Sequence, residues 1–186
     1  MIKLKSFIAT MFVAGLFSGH AMAQDGAGYA LNDTTARSTF YFGAGTSNDD
    51  GPDAADETPL VIGFTHQPMN SKMVWGLDIA REGTMLDSTY GQDRAVSSAI
   101  SFNLLVGRNF VETAKYKVDG ALILGIREEA QDCPASFLGY QCYADTDPET
   151  ECTGNFGALA TVSVEKMVIG VRATSESAQV LVGFRF

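Results

Sequence analysis

Few side chains in this sequence have the type and spacing for chemistry. His66 closes an apolar alternating run over residues 60–66. An imidazole activates a serine only when the hydroxyl shares its face and a third polar group orients the pair. Strand spacing puts no serine on that face within reach, so hydrolase chemistry is not expected and an interfacial histidine is. Cys133, Cys142 and Cys152 stand with eight and nine residues between neighbours, a spacing that matches no zinc signature. An odd count leaves one thiol over. The sequence does not say which two pair; Cys142 with Cys152 is preferred, because Pro134 and an aromatic stretch set Cys133 apart.

Two runs are strongly acidic. Set against a calcium loop, residues 46–57 place Asn48 and Asp50 at positions 3 and 5, Gly51 at 6 and Glu57 at 12. Position 1 is Thr46 rather than Asp, and the flanks read as strands rather than helices. The plain alternative is a solvated turn. The second run carries Glu128, Glu129, Asp132, Asp145, Asp147, Glu149 and Glu151, and neither run contains Lys or Arg. The formal net charge of the whole chain is −9, which argues against nucleic acid as a partner. No cofactor motif is expected.

The N-terminus reads as an export signal. Lys3 and Lys5 precede an apolar stretch at 7–17, and Ala21-Met22-Ala23 has the form of a cleavage site. The stretch is shorter than the roughly 20 residues of a spanning helix. Residues 1–23 are therefore expected to be removed, 24–36 to form a flexible lead-in, and 37–186 to form one domain. Removal takes away two lysines and no acid, so the mature chain is more acidic still.

The elements that must position these side chains alternate at period two. Eight strands are predicted at 37–46, 57–66, 73–82, 95–107, 116–127, 154–165, 166–174 and 178–186. One face is apolar throughout, as in Met73, Trp75, Leu77 and Ile79, or Ile100, Phe102, Leu104 and Val106. Val96, Ser98, Val118 and Gly120 share its parity. The other face carries Asp78, Lys117, Asp119, Arg127, Glu165, Arg172 and Arg185, with many glycines between them.

Alternation does not decide which face is inside. The glycines do: they weaken strands facing water, but in the narrow interior of an eight-stranded barrel they leave room for charged side chains. Connections of alternating length, long after strands one, three and five, point the same way. The expected fold is an all-β, closed eight-stranded antiparallel barrel, an up-and-down meander with its apolar face toward lipid.

The final strand carries a resemblance. Val180, Val182, Phe184 and a terminal Phe186 look like the closing-strand signal of bacterial outer-membrane proteins, and the chain resembles the small eight-stranded barrels such as the OmpA transmembrane domain and the OmpX-like proteins. The resemblance implies location in the Gram-negative outer membrane, assembly machinery reading the last strand, and lipid and lipopolysaccharide as surroundings. Divalent cations bridging the acidic loops to lipopolysaccharide are a further expectation. The function expected is non-catalytic, structural or surface-interactive, with a side-chain-filled lumen. The alternatives are a narrow porin-like channel for ions or small solutes and, outside the membrane, a soluble lipocalin-like barrel.

Overall fold

The computed structural model describes residues 36–48, 57–86, 96–130 and 150–186. Eight strands run in order: β1 Arg37–Ser47, β2 Leu60–Gln67, β3 Met73–Leu86, β4 Val96–Glu112, β5 Tyr116–Ala130, β6 Thr150–Val164, β7 Met167–Thr174 and β8 Ser177–Arg185. Each pairs antiparallel with the next, and β8 pairs with β1 to close the barrel. The closing ladder sets Phe40 opposite Phe184 and Phe42 opposite Val182. Closure leaves no unpaired edge, the condition for a sheet to cross lipid. No helix occurs among the described residues.

The middle strands are longer than alternation suggested. β3 runs past residue 82 through an irregularity between Arg81 and Thr84. Gly83 has φ +78° there, and a Cβ on it would meet a Glu176 carboxylate oxygen at 2.8 Å. Only glycine takes that backbone without strain. β4 runs on to Glu112 through a second irregularity between Asn109 and Val111. Phe110 and Val111 both face outward and are exposed, so the bulge resets the parity and turns Glu112 inward. Period-two counting loses such a strand at its bulge. The joining segment 108–115, expected as a connection, shrinks to the turn at 113–115.

The outer surface bears the large apolar side chains, including Leu77 at 59 % exposure and Phe156 at 61 %. In water this band would be an extended exposed apolar patch; against lipid it is the required surface. The soluble lipocalin-like alternative does not fit it. Two positions on the outward parity are covered rather than open. Gly120 lies under the Phe110 ring, and Ser98 is buried and hydrogen-bonds Glu57.

The inward face is not simply polar and small. Tyr41, Leu105, Ile123 and Leu181 are wholly buried, with Val61, Leu159 and Val168 close behind. Three strands show the arrangement. β4 turns in Ser101, Asn103, Leu105 and Asn109; β6 turns in Asn155, Leu159, Thr161 and Ser163; β8 turns in Ser177, Gln179, Leu181 and Arg185. Along each, polar residues on the long-loop side give way to leucine and then to polar residues at the tight-turn end. The lumen therefore has three tiers, with an apolar one in the middle. Gly63 makes room for it: the Tyr41 ring lies where a Cβ of residue 63 would stand, 2.2 Å away.

The lumen network as candidate functional site

Arg172 is the centre of the upper tier. Its guanidinium is fully buried between two fully buried carboxylates, Asp78 and Glu82. Nε donates to Asp78 Oδ2 at 3.0 Å and Nη2 to Oδ1 at 3.2 Å. Nη1 donates to Glu82 Oε2 at 2.7 Å and Nη2 to Oε1 at 2.8 Å. One cation between two anions leaves a buried negative charge, which needs further donors. Strands β1, β4, β6, β7 and β8 supply them.

Glu82 accepts from Ser101 Oγ at 2.8 Å, Asn155 Nδ2 at 2.9 Å and Thr174 Oγ1 at 2.8 Å, and from the Ser177 hydroxyl. Asp78 accepts from Asn103 Nδ2 at 2.7 Å and from the Tyr41 hydroxyl at 3.2 Å. Asn155 also donates to Asn103 Oδ1 at 2.9 Å, so the two acidic ends join into one network. Such a network rigidifies the wall it crosses. It offers no vacant coordination sphere: among the described residues no cluster of His, Cys, Asp and Glu could hold a metal.

The lower tier is ionic. Arg185 reaches across the lumen to Asp119, which also accepts from Asn109 Nδ2 at 2.6 Å. Glu112 takes Arg37 at 2.8 Å and Lys117 at 2.9 Å. At the opposite mouth Arg127 Nε lies 3.3 Å from Glu176 and Nη2 3.8 Å from Glu129.

Several expected site residues fall elsewhere. Glu165, expected inside, is exposed in the β6–β7 turn with φ +53°. A two-residue turn needs a left-handed position, and that takes Glu165 out of the strand. Of the calcium candidate, Asn48 and Glu57 are described and each has partners of its own. Asn48 Nδ2 donates to the carbonyls of Thr174 and Ser175, Glu57 pairs with Arg81 at 2.7 Å, and Asp50 lies outside the described residues. A hydrogen bond from Ser98, and then the Arg81 guanidinium, hold the Glu57 carboxyl below its usual range against some desolvation. Cys152 is a free, exposed thiol on β6 where a bridge was expected; Cys142 and Cys133 lie outside the described residues, as do residues 1–35.

His66 does have a serine within reach. Ser38 Oγ lies 3.1 Å from Nδ1 on the outward face, because β1 and β2 pair Ser38 with His66 in register. Sequence spacing within β2 holds no trace of a cross-strand neighbour. The ring also packs edge-on against Trp75, centroids 5.5 Å apart. Among the described residues no third side chain bonds the pair, as orientation of a catalytic imidazole would require.

Sequence reasoning also missed Glu82. It stands four residues after Asp78, so its parity faces inward, but the predicted strand stopped there. The polar partners Ser101, Asn103, Asn155, Thr174, Ser177 and Gln179 carried the inward parity without a charge to mark them.

No family model and no curated protein sequence matches the chain. Among solved structures, the Yersinia pestis outer membrane protein Ail in a phospholipid bilayer nanodisc is similar at a TM-score of 0.45 and 12% identity, over 82% of this chain and 100% of that one. Ail crystallised with the heparin analogue sucrose octasulfate gives 0.44 and 14%, over 81% and 97%. The class stands on this chain's own geometry: a closed eight-stranded barrel, lipid-facing outside and polar within, is a transmembrane β-barrel of the small outer-membrane type. Its compartment is the bacterial outer membrane, where such barrels reside.

Proposed function

We propose that the chain is a non-catalytic outer-membrane barrel with a structural or surface-interaction role, its lumen closed by its own side chains. The observation that carries this reading is the apolar tier. Leu105, Ile123 and Leu181 are wholly buried inside the barrel, between two ionic tiers, which supports a lumen without a continuous polar path for solutes. An eight-stranded interior is just wide enough for side chains to fill.

The long connections then face outward and carry the acidic runs. Divalent cations would bridge their carboxylates to lipopolysaccharide, and soluble partners would meet a negative surface. The closing strand would serve as the assembly signal: Val180, Val182, Phe184 and Phe186 are all exposed on the lipid side, where assembly machinery could read them. The bond between Ser38 and His66 then only ties β1 to β2 near the interface.

Planar-bilayer recording tests the reading. No steady unitary conductance is expected; a stable open level would replace it with the channel alternative. For catalysis, His66→Ala should leave the lipid composition of the host membrane unchanged, and an altered acylation pattern would reopen the question.

A further inference from the structure

The tight-turn mouth of the lumen holds a cavity of about 330 Å³. Arg185 and Ser163 line it, and each brings a buried group with no hydrogen-bond partner: Arg185 Nη1 and Ser163 Oγ. The Arg185 side chain is only 10 % exposed, and Ser163 only 2 %. Buried donors are almost always satisfied, so two orphans in one cavity call for a ligand or for water.

Their placement follows from the strands. Arg185 Nη2 is anchored on Asp119 of β5, which holds the guanidinium across the lumen. Asp119 is in register with Thr161 of β6, and Ser163 is the next residue on that inward face. The spare end of the guanidinium and the spare hydroxyl thus belong to the same side of the mouth. Lys115, exposed in the β4–β5 turn, stands on the rim of the same cavity.

The charge around the mouth favours an anion. Lys72, Arg108 and Lys166 are exposed at this end of the barrel, and Arg108 stacks on Phe110 at 5.8 Å. Of the described acids here, Glu112 and Asp119 are engaged inside, and Glu165 on the rim opposes. Positive rims of this kind concentrate anions.

We infer that this mouth binds a phosphate group, with Arg185 Nη1 and Ser163 Oγ donating to its oxygens and Lys115 adding charge from the rim. The three donors come from β8, β6 and a turn. They suit an anion whose oxygens point in several directions, and guanidinium pairs well with phosphate. Free phosphate and the headgroup of an adjoining phospholipid share this chemistry.

Phosphorus NMR and calorimetry on the full chain, folded in a phosphate-free maltoside micelle, test it. Inorganic phosphate should bind saturably, and chloride at matched ionic strength should not. Ser163→Ala should weaken binding about fivefold to tenfold, the loss of one hydrogen bond. In phosphate-free buffer the same variant should unfold at an equal or higher urea concentration, because it deletes an unsatisfied buried hydroxyl. Lys115→Gln should weaken binding with stability unchanged. If binding persists in phospholipid nanodiscs, free phosphate is the ligand; if lipid abolishes it, a headgroup occupies the site. No saturable binding in micelles, or Ser163→Ala binding like the parent chain, would mean that water satisfies both donors and would overturn the inference.

Discussion

Arg172 illustrates how much one side chain organises. It ties β7 to two carboxylates of β3 with no help from solvent. Removing one partner of a buried ion pair costs about 3–5 kcal/mol, because the other charge stays behind. Arg172→Met leaves two charges behind, so a loss at or above that range is expected in urea titrations of the folded barrel; a loss near zero would show the tier to be wet. Glu57 is the contrasting case. Its carboxyl is held low, so its pairing is present above the usual carboxylate range and fades as pH falls through it. The Glu57 side chain is 46 % exposed, so Glu57→Gln should change stability by less than about 1 kcal/mol at neutral pH. Parity put Asp78, Asp119, Arg172 and Arg185 on the charged face. It let Arg185 be expected against an inward carboxylate such as Asp78 or Asp119, and the pair formed is Arg185 with Asp119; it could not choose between the two carboxylates, since both lie far away in sequence.

At the scale of the strands, the outward face makes a graded prediction. Ile79 lies in the middle of β3, and Ile79→Arg should destabilise by about 2–4 kcal/mol in a bilayer, while Leu60→Arg at the start of β2 should cost about 0–1 kcal/mol. Equal effects at both positions would mean that the apolar band is not the lipid surface. Gly83→Val should be poorly tolerated, because it combines a left-handed backbone with a collision at Glu176. Just past β8, deletion of Phe186 should reduce membrane assembly in cells far more than the stability of barrel refolded in detergent. Strand existence was legible from alternation because one face is apolar from end to end. Strand length was not, because the bulges after Arg81 and near Phe110 break the count.

The barrel should behave as one closed unit. Unboiled protein should migrate differently from boiled protein on a gel, since closure through β1 and β8 resists detergent until heated. Trp75 is the single tryptophan of the chain and lies on the outer surface. Its emission should shift to the blue on folding into vesicles and be quenched by brominated acyl chains. Unshifted emission would place Trp75 in water and contradict the lipid-facing assignment. At this scale the polarity of the molecule also matters. Among the described residues, exposed Lys72, Arg108, Lys115 and Lys166 lie at the tight-turn end.

Period-two patterning decided the architecture, because a barrel's two faces have opposite chemical requirements and each residue must meet one of them. The same patterning placed the lipid-side aromatics, because a face is fixed by neighbours in sequence. It did not decide how the lumen is filled. Tyr41, Leu105, Ile123, Leu159 and Leu181 come from five different strands, and only closure brings them into one tier. Glu82 is held by donors from four strands, and Ser38 reaches His66 only across a ladder. Contacts between residues tens of positions apart are set by register and closure, and these emerge only when the whole sheet forms.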